Sequence, residues 1–126
     1  MMSKAFYLYS GMLSIAYSIY AGLNYYTLSS PLLISNEIAK KKLINKEITH
    51  VIDVRTKMEW EIGHYPGAIH IPITKLSKKK LKNISKNSTI LVYCNTGQRA
   101  RMGAEYIINQ GYSNVYYIAS TYNKIL

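Results

Sequence analysis

Short β-rich runs alternate with helical segments along the chain after residue 31. The run Ile90–Tyr93 is apolar or aromatic at every position, which is typical of a central strand that is covered on both faces. Strands joined by helices run in the same direction, so the alternation predicts an open α/β fold with a mostly parallel sheet. The predicted strands are 32–34, 49–54, 68–73, 90–93 and 115–118, and the predicted helices are 37–44, 57–62 and 99–110, with a solvated helix and loop over 75–86.

The N-terminal segment, residues 1–30, is hydrophobic and differs from the domain predicted over residues 31–126. It carries no charge from Ala5 onward, and residues 5–23 would span about 28 Å as a helix, close to the thickness of a bilayer core. We favour a membrane anchor over residues 5–23, on a membrane side that the flanking lysines do not define. The alternatives are a cleaved signal peptide ending near Ser29 and an additional helix of the domain. The protein is accordingly expected to be membrane-anchored or exported.

The chain is strongly basic, with a formal net charge of +10. Such a charge can indicate a nucleic acid or an anionic membrane surface as partner. However, lysine is abundant together with isoleucine, asparagine and tyrosine, whose codons are all A/T-rich, so genome composition explains the excess about as well. Because no nucleic-acid recognition motif accompanies the charge, we predict no nucleic-acid partner.

Cys94 is the only cysteine, so the chain cannot form an internal disulfide. It directly follows the apolar run Ile90–Tyr93 and precedes the predicted helix 99–110. Open α/β sheets bind their ligands at the carboxyl ends of such strands. Backbone N–H groups and the positive end of the helix dipole favour an ionised, nucleophilic thiol at this position. The alternative is a buried structural cysteine, which needs no such loop.

The loop after Cys94 contains the residues expected to bind a substrate: Asn95, Thr96, Gly97, Gln98 and Arg99. The glycine allows a backbone turn that leaves several N–H groups pointing at one anion. Arg99 and Arg101 are expected to supply positive charge to an anionic substrate. Asp53 and Arg55 lie two residues apart at the end of another predicted strand, where they can form a structural ion pair.

Two separated segments resemble the signature motifs of rhodanese-like domains. The first lies between Ile52 and Pro72 and contains IDVR, then EW, then GHYPGAIHIP, whereas the second, from Tyr93 to Ala100, reads YCNTGQRA. The resemblance covers residues 32–118 and is greatest to small single-domain thiosulfate sulfurtransferases. It implies a rhodanese-like open parallel sheet flanked by helices, preceded here by the N-terminal hydrophobic helix.

The resemblance also implies a sulfurtransferase in which Cys94 carries a persulfide. A sulfane sulfur would pass from a small anionic donor, thiosulfate or a persulfide, to a thiophilic acceptor. The amides of the loop would cradle the persulfide, and Asp53 and Arg55 would support the loop from the neighbouring strand end. Neither a metal nor an organic cofactor is implied.

The chain departs from the family pattern after its last predicted strand. Ala119 and Ser120 stand where rhodanese domains usually carry two glycines, and the sequence ends six residues later, so we expect a shortened last helix. This departure keeps open a second hypothesis, a catalytically inactive rhodanese fold that serves as a membrane-tethered interaction module. A related Cys-dependent phosphatase is a third and weaker hypothesis, because its loop places Arg at the sixth position after Cys, where this chain has Ala100.

Overall fold

A four-stranded parallel sheet lies at the centre of the computed structural model, which describes residues 2–126. The strands are β1 His50–Asp53, β2 Ile69–His70, β3 Thr89–Tyr93 and β4 Asn114–Tyr117. The helices are α1 Lys4–Leu28, α2 Asn36–Ile44, α3 Lys57–Ile62, α4 Lys78–Leu81 and α5 Gln98–Asn109, with 3-10 turns at Ile73–Lys75 and Tyr122–Lys124. The strand order is β2-β1-β3-β4, so β1 and β3 form the central pair. The predicted α/β fold with a parallel sheet flanked by helices is confirmed.

Strand β3 contributes side chains to the hydrophobic core on both faces of the sheet. Alternate residues of a strand point to opposite faces. Ile90 and Val92 pack in the cluster that includes Ile107 of α5, whereas Leu91 and Tyr93 pack in the cluster on the other face. The four side chains from Ile90 to Tyr93 are fully buried, which explains why this run has no charged or strongly polar position.

The register of the sheet aligns the strand ends that surround Cys94. Asp53, the last residue of β1, lies beside Tyr93 on β3 and beside His70 on β2. Because the three strands are parallel, the loops that follow them leave from the same edge of the sheet. Cys94 is the first residue after β3, so it emerges at this edge.

The strand predicted over residues 32–34 is reduced to one bridging residue, Leu33, which pairs in parallel with Tyr117. A turn closed by the hydrogen bond from the Leu33 N–H to the Ser30 carbonyl (3.2 Å) precedes it. Immediately after it, the Ser35 side chain accepts the N–H of Ile38 and caps α2. The segment between the turn and the helix cap is too short for a regular strand.

Helix α5 contacts the sheet through a face of small residues and one isoleucine: Ala100, Gly103, Ala104 and Ile107. A Cβ at Gly103 would lie 3.3 Å from Cγ1 of Val54, a tight contact that shows how closely the helix backbone approaches the sheet. Met102 does not belong to this face, because its side chain is 52% exposed. Close approach of the helix backbone therefore replaces packing by long side chains on this face.

Helix α1 corresponds to the hydrophobic N-terminal helix of the prediction, but it is less apolar than expected. Six tyrosines and three serines lie within its 25 residues. No helix within residues 2–126 is long and apolar enough to cross a membrane. The prediction of a membrane-spanning anchor over residues 5–23 is therefore wrong, and membrane association through this segment is not supported. Most side chains of α1 are exposed, whereas Thr27 in its last turn is buried against the domain.

The C-terminal residues form a short turn in place of the shortened helix expected there. After β4, the 3-10 turn Tyr122–Lys124 brings the side chain of Ile125 into the core cluster of Leu91 and Val51, where it is buried. The Ser120 hydroxyl donates to Oδ1 of Asn36 at the start of α2 (2.6 Å). The segment after β4 thus closes one face of the sheet.

The two faces of α5 should differ in their contribution to stability. We expect Ile107→Ala to lower the free energy of unfolding by about 2–5 kcal/mol, because it removes a fully buried side chain and leaves a cavity. Met102→Ala on the exposed face of the same helix should change it by no more than about 0.5 kcal/mol. Urea denaturation of the two variants measures the difference, and equal losses would contradict the observed orientation of the helix.

Candidate active site

The sulfur of Cys94 lies at the N-terminus of α5. The Cys94 side chain is 1% exposed. Its Sγ accepts the backbone N–H of Gly97 at 3.1 Å and that of Ala100 at 3.4 Å. Both donors belong to the loop and first turn of α5, where the helix dipole adds partial positive charge. The loop therefore surrounds the sulfur with groups that stabilise negative charge.

Gly97 occupies a position that no other residue could take without strain. Its φ of 112° lies in the left-handed region, which disfavours side chains. A Cβ at this residue would lie 2.6 Å from Cγ2 of Thr27 and 3.0 Å from Cα of Ala119. Glycine is thus required both for the turn of the loop and for the close approach of α1 and the segment after β4.

Asp53 and Arg55 form the buried ion pair that the sequence suggested. The Arg55 Nε lies 3.0 Å from Oδ1 of Asp53, and its terminal nitrogen lies 2.7 Å from Oδ2 and 2.6 Å from the carbonyl oxygen of Gly63. The rings of Tyr93 and Tyr122 lie 5.4 and 5.3 Å from the guanidinium. Burial opposes the charged guanidinium, yet the hydrogen bonds and charge of Asp53 raise the pKa of Arg55 above its ordinary value.

This ion pair reaches the loop through the residue that precedes Cys94. The Tyr93 hydroxyl donates to Oδ2 of Asp53 at 2.5 Å and accepts the N–H of Tyr65. Burial, aided by the hydrogen bond to Asp53, raises the pKa of Tyr93, so the hydroxyl keeps its proton. Neither Asp53 nor Arg55 forms a hydrogen bond with the Cys94 sulfur, so their contribution runs through the end of β3. Sequence analysis did not single out Tyr93.

Arg99 forms a bidentate ion pair with Glu59 of α3. Its two terminal nitrogens lie 2.7 and 3.0 Å from the two carboxylate oxygens. These hydrogen bonds hold the pKa of Glu59 well below its ordinary value. They also raise the pKa of Arg99, and the negative charge of an ionised Cys94 raises it further. The positive charge of Arg99, which was expected to face a substrate, is therefore already compensated by the Glu59 carboxylate. The Arg99 guanidinium nevertheless lies near enough to interact with Cys94.

Glu59 is a site residue to which the sequence analysis assigned no role. It closes a capping box with Thr56 at the start of α3 and also accepts the side-chain amide of Asn95. The signal in the sequence is the Thr-x-x-Glu spacing of the capping box, which orients the carboxylate. The partner across the loop, Arg99, is 40 positions away, and only the fold brings it near.

The remaining loop side chains bind each other or the N-terminal helix. Thr96 donates to Oε1 of Gln98, whose Nε2 donates to Oγ1 of Thr27 at 2.8 Å. Arg101, expected to supply charge to the loop, instead pairs with Glu105 at 2.7 Å and donates to Oγ of Ser29. Hydrogen bonds to the Cys94 sulfur come from the backbone of the loop, and the side chains position that backbone.

Residues 35–126 match the family model of the rhodanese-like domain, and the chain belongs to this family. It is 34% identical over 82 residues to the putative sulfur carrier protein YrkF of Bacillus subtilis, covering 65% of this chain and 44% of the relative. It is 34% identical over 67 residues to the thiosulfate sulfurtransferase PspE of Escherichia coli, covering 52% of this chain and 64% of the relative. The chain thus spans less than two thirds of either relative.

A solved structure shows the same fold. The chain is similar to the crystal structure of a rhodanese-like domain protein from Staphylococcus aureus, with a TM-score of 0.64 and 24% identity over 75% of this chain and 90% of that one. The predicted membership of the rhodanese-like family, with sulfurtransferases among its relatives, is confirmed.

The Glu59–Arg99 pair should make stability depend on pH in the acid range. Because the pKa of Glu59 is lower in the folded than in the unfolded protein, the unfolded state binds more protons below about pH 4.5, and stability falls as the pH drops. We expect Glu59→Gln to flatten this dependence between about pH 5 and 3. The control is Glu61→Gln, since Glu61 is mostly exposed and lies 3.8 Å from Lys57. Urea denaturation at a series of pH values measures both, and an unchanged profile in Glu59→Gln would contradict the assignment.

Proposed function

We propose that the protein is a sulfurtransferase that moves a sulfane sulfur from thiosulfate or a low-molecular-weight persulfide to a thiophilic acceptor, with Cys94 as the carrier. The observation that carries this proposal is the cradle at the Cys94 sulfur, in which the N–H groups of Gly97 and Ala100 donate to Sγ. Membership of the rhodanese-like family supports it. Cys94 is also the only thiol in the chain that could accept the sulfur.

The first half-reaction requires an ionised thiol. The Cys94 thiolate attacks the outer sulfur of thiosulfate, a new S–S bond forms, and the bond between the two sulfurs of the donor breaks. Sulfite leaves with the electron pair of that bond, and the enzyme keeps a Cys94 persulfide anion. In the second half-reaction an acceptor such as cyanide attacks the outer sulfur, and the thiolate returns.

Backbone groups stabilise the charges of this cycle. Both the thiolate and the persulfide are anions, and preorganised N–H donors at a helix N-terminus stabilise an anion without reorganising during the reaction. Arg99 adds a positive charge nearby, but Glu59 compensates it. We therefore assign anion stabilisation mainly to the loop amides, and assign Arg99, Asp53 and Arg55 to positioning the loop.

The same contacts favour sulfur over phosphate chemistry. A phosphatase of this architecture needs an arginine at the sixth position after Cys94, where this chain has Ala100. The arginines on either side, Arg99 and Arg101, are paired with Glu59 and Glu105. Neither guanidinium is free to bind a phosphate in the loop. An inactive interaction module is also disfavoured, since such a role does not require an intact sulfur cradle.

Cys94 should gain one sulfur atom from thiosulfate. We expect the intact mass of the wild-type protein to increase by one sulfur after brief exposure to thiosulfate, and cyanide to remove it as thiocyanate. Cys94→Ser should gain none, because the chain has no other thiol. A wild-type protein that accepts no sulfur from thiosulfate or from any low-molecular-weight persulfide would refute the proposed activity.

The choice between sulfur and phosphate chemistry can be tested directly. We expect the protein to turn over thiosulfate and cyanide and to leave p-nitrophenyl phosphate unhydrolysed, because neither flanking arginine is free. Both activities are measured on the same preparation, with Cys94→Ser as the control for contaminating enzymes. Phosphatase activity that disappears in Cys94→Ser would contradict the sulfurtransferase assignment.

A further inference from the structure

The last two turns of α1 pack directly against the loop that holds the Cys94 sulfur. Thr27 is 3% exposed, and its hydroxyl accepts the side-chain amide of Gln98 at 2.8 Å. The carbonyl oxygen of Thr27 accepts the hydroxyl of Tyr117 at the end of β4. Arg101 stacks over the ring of Tyr26 at 4.1 Å. These contacts fix the end of α1 on the catalytic side of the domain.

This docking forms a groove between α1 and the loop. Its volume is about 440 Å³, in the range of small-ligand sites. It is lined by Tyr20, Leu23 and Asn24 of α1, by Thr96 and Gln98 of the loop, and by Ala119. None of these side chains is charged, although the protein carries a net charge of +10. The lining combines an aromatic ring and an aliphatic side chain with amide and hydroxyl groups.

The groove lies beside the segment that donates to the sulfur. Thr96 and Gln98 flank Gly97, whose N–H binds Sγ. A persulfide would place a reactive sulfur about 2 Å beyond Sγ. An acceptor whose body rests in the groove would therefore contact the same loop that holds the sulfur to be transferred.

We propose that this groove binds the body of the sulfur acceptor, and that the acceptor is an uncharged peptide-type thiol. The inference rests on the proposed sulfurtransferase activity. The amides of Asn24 and Gln98 and the hydroxyl of Thr96 can pair with peptide N–H and C=O groups, while Tyr20 and Leu23 contact apolar parts. The absence of charged side chains in the lining favours a neutral body over an anionic one.

The transfer step is a thiol–persulfide exchange. The Cys94 persulfide anion first takes up the proton of the acceptor thiol. The resulting acceptor thiolate attacks the outer sulfur, and a new S–S bond forms to the acceptor. The bond between the outer sulfur and Sγ breaks, and its electron pair returns to Sγ as the thiolate held by the loop amides. The proton stays on the transferred sulfur, so the product is the acceptor hydropersulfide.

Steady-state kinetics of the full-length protein test the groove. Thiosulfate is the donor, and the acceptors compared are cyanide and N-acetylcysteine amide, a neutral peptide-type thiol. We expect Tyr20→Ala to lower the ratio of kcat/KM for the thiol to that for cyanide about fivefold, mainly through KM. The matched control is Tyr9→Ala, because Tyr9 is 64% exposed on the same helix, compared with 66% for Tyr20, and does not line the groove.

A charge introduced into the groove tests the same inference independently of aromatic contact. Asn24→Lys should shift preference from N-acetylcysteine amide toward N-acetylcysteine, whose carboxylate is anionic, whereas Ser14→Lys on the exposed part of α1 should not. If wild type forms the persulfide but neither groove variant differs from its control, the acceptor site lies elsewhere and the proposed activity stands. If wild type forms no persulfide, the proposed function and the inference both fail.

Discussion

The buried ion pair between Asp53 and Arg55 connects the separate parts of the chain that meet around the site. Asp53 ends β1 and accepts the hydroxyl of Tyr93, the residue before Cys94. Arg55 donates to the carbonyl of Gly63 after α3, and it lies against the ring of Tyr122 in the C-terminal turn. A buried pair of this kind is tolerated because the carboxylate accepts hydrogen bonds from Arg55 and Tyr93 and the guanidinium donates to Asp53 and Gly63, and removing one partner leaves the other uncompensated. The position of Cys94 therefore depends on charges that do not touch its sulfur.

The arginines and lysines have different roles in this protein. Each arginine pairs with a carboxylate: Arg55 with Asp53, Arg99 with Glu59 and Arg101 with Glu105. The Arg99–Glu59 pair joins α5 to α3, whereas the other two pairs are local, and in all three the arginine supplies geometry more than free charge. The uncompensated positive charge belongs to lysines on the surface, where salt screens it. The Cys94 sulfur is instead surrounded by the dipoles of backbone N–H groups. Because these groups are buried, ions in solution screen their dipoles much less.

Helix α1 is attached to the rest of the chain through the loop that holds the sulfur. Gly97 leaves room for Thr27, Gln98 binds its hydroxyl, and Arg101 binds the end of the helix. Residues at the start of α5 thus contribute to the cradle and hold α1 at the same time. This arrangement places an otherwise exposed helix next to the loop of Cys94, and it gives the domain a groove that the loop alone would not form.

Local sequence patterns predicted most of the strands and helices and the place of Cys94 between a strand and a helix, because these features depend on neighbouring residues. The apolar run of β3, the glycine of the loop and Cys94 between strand and helix all act within a few positions, and the structure has them where they were predicted. The partner of Arg99 is decided by tertiary structure, since Glu59 lies 40 positions from Arg99 and approaches only when β1 and β3 pair in register. The outward orientation of Met102 has the same origin, because the distance between α5 and the sheet selects the small face of the helix. Which strand end lies beside which loop is a property of the sheet register, and no local pattern in the sequence encodes it.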